Sequence, residues 1–350
     1  MTNEICEYKK MFNPAADDSK QKLFCGETTN ILDLSSVKYP KFIELVDTVM
    51  YPNNWLPQKV SSMDRDKRQY KKELTKEEKD GYDDILSFLI FLDSVQTNNL
   101  PNIADYITLP EVVYFLARQT YEEAIHSRSY GYILTNMLNK EEMGHIVYRW
   151  RDNQLLLERN KLIAELYDEC NETRNELNFY RVLLGNYALE GLYFYNGFQF
   201  FHNLASRNMM IGTDTQIRYI QRDEAVHCKG FEEILKIYRQ EENPSFYEEV
   251  AIEFFTKAVE LELKFSLETI GDKVLGMDSN SIKAYTYYLA NKRLKAIGVP
   301  EVFPTQKTNP YAHLERIASV DDESSNRANQ FETTSITYKS PEILEGWDDI

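Results

Sequence analysis

Val182-Leu-Leu-Gly-Asn-Tyr-Ala-Leu-Glu190-Gly-Leu-Tyr-Phe-Tyr195 is the stretch on which the fold turns. The apolar run continues to Phe201, and Glu190 is its only charge, alongside two Asn and a Gln. That charge argues against a membrane span. A carboxylate buried without a partner costs several kcal/mol or stays protonated. A metal ion resolves that conflict, so Glu190 is a candidate ligand. Asp93 repeats the theme, ending the apolar stretch Leu86-Ser-Phe-Leu-Ile-Phe-Leu92.

The histidines supply the rest of a donor set. There are 5, and three have a glutamate three residues earlier: Glu123/His126, Glu142/His145 and Glu224/His227. With 35 Glu in 350 residues, about half an instance is expected by chance. Residues i and i+3 share one helix face, with Cβ atoms ~5–6 Å apart, so a carboxylate and an imidazole can grip one ion. Asp93 precedes Glu123 by 30 residues and Glu190 precedes Glu224 by 34. A carboxylate helix followed by an ExxH helix therefore occurs twice. This is the pattern of a dinuclear iron or manganese site in a ferritin-like bundle. Glu142/His145 lies in Asn-Lys-Glu-Glu-Met-Gly-His, a charged helix start with a glycine inside, and reads as a solvated coincidence. Tyr130 follows His126 by four residues and Glu123 by seven, so it shares their face. It reads equally as a core tyrosine or as a phenol oxidised to a stable radical.

The surrounding chain is helical. Tyr82, Ile85, Leu86, Leu89 and Ile90 keep the helical period from about residue 76. Pro101 and Pro110 bound a connection, and Pro110 opens a helix to about 138. Further helices are expected over 141–171, 174–205, 212–240, 244–275 and 279–296, with few alternating strands. Residues 1 to about 38 read as irregular, and Asn53-Asn54-Trp55-Leu56-Pro57 as a turn. The expectation is an all-α, ferritin-like bundle over 1–318, opening on an irregular N-terminal segment, and a flexible tail over 319–350. That tail either frays or docks to a partner through Ile343, Leu344, Trp347 and Ile350. Phe194, Phe198, Ile217 and Ile220 fall near Glu190 and Glu224 in helical spacing. Plain core packing is the favoured account of them over radical shelter, since filling a core and shielding a radical need the same residues.

Composition excludes several classes. The 40 basic against 56 acidic residues give a net charge of −16, against a nucleic-acid partner. The four cysteines, Cys6, Cys25, Cys170 and Cys228, are scattered without a CxxC pair. This speaks against a disulfide scaffold or thiolate zinc site and for a reducing compartment. The N-terminus shows no signal-peptide pattern.

Four segments are more specific than any single ExxH. Leu92-Asp93-Ser94-Val95-Gln96, Glu123-Ala-Ile-His126-Ser-Arg-Ser-Tyr130, Asn186-Tyr-Ala-Leu-Glu190 and Arg222-Asp223-Glu224-Ala-Val-His227 resemble the radical-generating small (beta) subunit of class I ribonucleotide reductase. The likeness runs in order from about Trp55 to the C-terminus. It implies a ribonucleoside-diphosphate reductase subunit, active only with the large (alpha) subunit and serving deoxyribonucleotide supply for DNA replication. It further implies that Asp93 and His126 ligate one metal, Glu190 and His227 the other, and that Glu123 and Glu224 bridge. By the same resemblance Tyr130 holds the tyrosyl radical, and Trp55, Asp223 and His126 line its exit. Tyr338 would pass the hole to the large subunit, which the final residues would bind. Two Fe are the implied ions, with Mn or mixed Mn/Fe as alternatives and an activating flavoprotein as a further partner. A homodimer in the cytoplasm is also implied, with no membrane or nucleic-acid role. Ile-His-Ser-Arg-Ser-Tyr is similar to class Ia, whereas the Trp-Asp-Asp ending is similar to class Ib. Two rivals share parts of the pattern: another dimetal enzyme such as a fatty-acyl desaturase, hydroxylase or oxidase, and an iron-storage bundle.

Overall fold

The computed structural model describes residues 5–315. Tyr338, the docking residues Ile343 to Ile350 and the 318/319 boundary lie outside them. Among the described residues there is no strand, only an isolated bridge between Ile5 and Asn175. The helices are α1 (Lys41–Glu44), α2 (Pro57–Val60), α3 (Asp64–Lys72), α4 (Lys76–Ala104), α5 (Pro110–Met137) and α6 (Lys140–Val147). There follow α7 (Gln154–Glu172), α8 (Glu176–Ala188), α9 (Tyr195–Ser206), α10 (Ile211–Glu242), α11 (Tyr247–Thr269) and α12 (Ser279–Ala296).

Local chemistry sets the helix ends. Thr75 and Glu78 form a reciprocal capping box at the start of α4. Pro110 starts α5, where its missing N–H costs nothing. Asp66 accepts from the backbone N–H groups of Gly212 and Thr213, satisfying orphan donors at the start of α10. Asn243, with φ of 43°, closes α10 in the left-handed region. Gly271, with φ of +41°, ends the penultimate long helix six residues earlier than the hydrophobic pattern suggests.

The centre of the bundle is the segment from α8 to α9. Nearly every residue from Phe179 to Leu204 is buried, so this helix is apolar all round because other helices cover every side. The chain packs α4 on α5, and α10 on α5, α8 and α9; α7 and α11 close over α8, with α12 on α11. Close approach is explicit at Gly230 of α10. A Cβ there would sit 2.0 Å from the Phe115 ring of α5.

Four further features depart from the sequence reading. Pro101 does not end α4 but lies inside its last turn. The expected 141–171 helix breaks after α6 and restarts when the Asn153 side chain caps α7. The expected 174–205 helix widens into a π-helical turn over Leu189–Tyr193, around Glu190. Finally, Cys6 and Cys25, 19 residues apart, form a disulfide with Cα atoms 5.6 Å apart. The chain folds back there because Cys6 N–H donates to Arg174 O and Cys25 N–H to Tyr106 O. This bridge removes the support that the scattered cysteines gave to a reducing compartment. The bridge pins an edge rather than serving as a scaffold. Cys170 and Cys228 are free and buried.

Candidate metal centre

Four helical segments deliver six donors to one point. Asp93 comes from α4, Glu123 and His126 from α5, Glu190 from the π-helical turn, and Glu224 and His227 from α10. All six are buried. They form two overlapping groups, Asp93/Glu123/His126/Glu224 and Glu123/Glu190/Glu224/His227, whose donor atoms lie within 4.8 Å of one another. Glu123 and Glu224 belong to both groups, which is the geometry bridging ligands require. His126 Nδ1 lies 3.0 Å from Glu224 Oε1, 3.5 Å from Glu123 Oε2 and 3.9 Å from Asp93 Oδ2. His227 Nδ1 lies 2.8 Å from Glu224 Oε2, 3.2 Å from Glu123 Oε1 and 3.6 Å from Glu190 Oε2.

The π-helical turn is held from two sides. Arg159 of α7 donates to Tyr193 O and pairs with buried Glu262. Arg293 of α12 donates to Gly191 O at 3.1 Å. A π-turn inside an α-helix frees backbone carbonyls, and the two arginines satisfy them.

Electrostatics show what such a cluster needs. Burial, then the carboxylates of Glu123 and Glu224, push Asp93 well above the ordinary carboxyl range. Glu190 is pushed up by burial, then by Glu224 and Glu123. Burial works against charging His126, yet the carboxylates around it, led by Glu224, carry it well above the usual imidazole range. His227 behaves likewise, with Glu122 the leading hydrogen-bond partner. Burial opposes ionising Glu224 too, but His126 outweighs it and holds that carboxyl low. The metal-free cluster therefore retains protons that a cation would displace. Asp93 Oδ1, Glu123 Oε2, Glu190 Oε2, Glu224 Oε1 and His126 Nδ1 are buried without hydrogen-bond partners. Five orphaned atoms converging on one point fit a pair of divalent ions. Oxygen donors with one imidazole per ion suit iron or manganese.

The other expected residues gather around this cluster. Tyr130 is 1% exposed, and its hydroxyl donates to Asp93 Oδ2 at 2.7 Å. Burial, then Asp93, pushes the phenol well above its ordinary range. Trp55 Nε1 donates to Asp223 Oδ2 at 2.6 Å, and the same oxygen lies 3.3 Å from His126 Nε2. Phe194, Phe198, Ile217 and Ile220 are fully buried in the general core. His145 is exposed and far from any such role, with Glu142 capping α6.

The sequence reading missed four neighbours. Gln96 and Gln119 both donate to Glu190 Oε1, at 2.6 and 2.9 Å, and Tyr167 donates to Gln96 Oε1. Glu122 accepts from Arg118 and meets His227. The available signal was spacing: Gln96 stands three residues after Asp93, and Gln119 four before Glu123.

The sequence pattern of a known family, described as "Ribonucleotide reductase, small chain", matches residues 32–310. The chain belongs to the ribonucleotide reductase small-chain family. A ribonucleoside-diphosphate reductase subunit beta from Treponema pallidum is 36% identical over 343 residues, covering 96% of each chain. The solved ribonucleotide reductase R2 subunit from Clostridium botulinum is 37% identical, with a TM-score of 0.82 over 88% of this chain and 97% of that one. Dimanganese(II)-NrdF from Streptococcus sanguinis shares the fold, at 20% identity and a TM-score of 0.67 over 79% of this chain and 95% of that one. Membership makes this chain the small subunit of an oxidoreductase that reduces ribonucleotides. It partners the large subunit, forms a homodimer and carries a dinuclear carboxylate–histidine centre. Among the described residues, no helix is long and apolar enough to cross a membrane.

Proposed function

We propose that this ribonucleotide reductase small subunit generates a radical on Tyr130 and exports it as a hole through His126, Asp223 and Trp55. Asp93 and His126 hold one ion, Glu190 and His227 the other, and Glu123 and Glu224 bridge. Two iron ions are the favoured occupants, with manganese or a mixed pair as alternatives. When bound and exposed to an oxygen species, the ions supply an oxidant able to take one electron from a phenol. Tyr130 then loses that electron together with its phenolic proton. The observation that carries the reading is the Tyr130 hydroxyl on Asp93 Oδ2 at 2.7 Å, which already aims the proton at an acceptor. Burial keeps solvent and thiols from the phenoxyl oxygen.

The exit uses the chain's own hydrogen bonds. Asp223 spans Trp55 Nε1 and His126 Nε2 with a single oxygen. It stays ionised because Arg222 and His126 outweigh the burial that opposes its charge. A charged acceptor at Trp55 Nε1 favours loss of an electron from the indole. Beyond Trp55, Tyr338 and the tail ending Glu-Gly-Trp347-Asp-Asp-Ile350 carry the hole and dock the large subunit. An activating flavoprotein and a cytoplasmic location complete the reading.

The test is to load metal-free protein with Fe(II) or Mn(II), admit air, and record electron paramagnetic resonance with a parallel metal count. A tyrosyl signal from the iron sample, lost in Tyr130→Phe while both ions remain, is the expected result. An oxidised species formed only with manganese and a flavoprotein or superoxide, and unchanged in Tyr130→Phe, would remove Tyr130 from the mechanism. For the tail, Tyr338→Phe should abolish turnover while leaving the Tyr130 signal. Deleting the last twenty residues should abolish capture of the large subunit.

A further inference from the structure

His126 and His227 are arranged as mirror images. Each turns Nδ1 toward the carboxylates of the centre and Nε2 outward. Outside His126 stands Asp223; outside His227 stands Glu122, whose Oε2 lies 2.9 Å from Nε2. Each outer carboxylate sits on the helix opposite the histidine it serves: Asp223 on α10 faces a histidine of α5, and Glu122 on α5 faces a histidine of α10. Each also directly precedes a glutamate shared by both donor groups.

The likeness extends outward. Asp223 uses Oδ1 for Arg222 and Oδ2 for the histidine. Glu122 likewise uses Oε1 for Arg118, at 2.8 Å, and Oε2 for the histidine. Both carboxylates are buried. Both arginines then reach the same surface turn. Arg222 donates to Asn53 O, while Arg118 donates to Met50 O at 3.0 Å and Asn54 Oδ1 at 3.4 Å. An i,i+4 pair that merely braced α5 would have no cause to aim its second oxygen at a buried imidazole.

We infer that Glu122, fixed by Arg118, is a positioning residue for His227, and that the Arg118–Glu122 pair ties this half of the centre to the turn before Trp55. The inference rests on the ligand assignment proposed above. A carboxylate accepting from Nε2–H holds the tautomer whose lone pair is on Nδ1, the atom facing Glu224, Glu123 and Glu190. It also raises the basicity of that ligand atom. Outer-shell partners of this kind typically shift metal affinity about 10–100-fold.

The test is an anaerobic titration of metal-free, full-length protein with Mn(II), reading free ion by electron paramagnetic resonance. Wild type should take up two ions; if it does not, the ligand assignment fails rather than this inference. Glu122→Ala should weaken one of the two ions by about ten- to a hundredfold and leave the other unchanged. Glu122→Gln, which keeps the shape but not the charge, should fall between, as should Arg118→Gln. Should the alanine variant fail to fold, the glutamine variant decides. Unchanged uptake of both ions would overturn the inference. Equal weakening of both, with a lower melting temperature of the metal-free variant, would overturn it too, since that marks general damage to α5.

Discussion

Three Glu-x-x-His pairs occur in this chain, and two regions treat them differently. On α5 and α10 the pairs Glu123/His126 and Glu224/His227 are fully buried and face each other across the bundle. On α6 the pair Glu142/His145 has the same spacing but sits at the surface. There Glu142 accepts from Asn139 N–H at 2.8 Å and closes a capping box. Spacing puts two donors on one face of a helix; only neighbouring helices turn that face into a site. α5 and α10 are 28 and 32 residues long and lie deep in the bundle, so their faces are enclosed. α6 has 8 residues and buries only Ile146, so its polar residues serve the helix itself.

Substitution should separate the two regions sharply. Glu224→Ala removes a donor from both groups, so two-ion uptake should be lost in a metal count, and reductase turnover with it. Retention of two ions would break the contrast. Removing the metals from wild type comes next. At ligand about a thousandfold above Kd, each bound ion contributes about 4 kcal/mol to stability. Chelation should therefore lower the thermal midpoint markedly. The loss should grow with pH. Asp93, Glu190, His126 and His227 are all raised in the folded, metal-free protein. A group raised on folding stabilises below its unfolded pKa and loses that contribution as pH passes its folded pKa. Glu224 is shifted the other way, so its contribution is lost only in acid and stays constant above about pH 6. Melting of the metal-free protein between about pH 6 and pH 9 should show falling stability, and a rise would contradict this balance. Glu142→Ala should cost about 0.3–1.5 kcal/mol through the broken capping box, the Asn139 cap itself remaining, without changing metal uptake. His145→Ala should change stability by less than about 0.5 kcal/mol.

Much of this was legible because charge in an apolar run is a strong signal. Glu190 and Asp93 announce themselves by their surroundings, and helix length follows from periodicity. Glu122 was hidden because the first residue of a Glu122-Glu123 pair looks like a solvated charge. Its role depends on His227, 105 residues away. Gln96 and Gln119 are uncharged, so only their spacing from Asp93 and Glu123 marked them. The π-helical turn escaped because one extra residue barely disturbs a run that is apolar on every side. The Cys6–Cys25 bridge depends on a fold-back of the irregular N-terminal segment, which no periodicity encodes. Tyr338 rests on sequence resemblance alone, and the tail anchors on resemblance and composition.

The grip on the π-helical turn also orders events in time. Glu190 is held through Gly191 and Tyr193, and the arginines that hold them stand at positions 159 and 293. A ribosome has therefore made nearly the whole helical region before the last of these restraints exists. The residue at 190 waits about a hundred codons for its clasp. All six donors, the last at residue 227, are made well before Arg293, so the donor set exists in the chain before its clasp is complete.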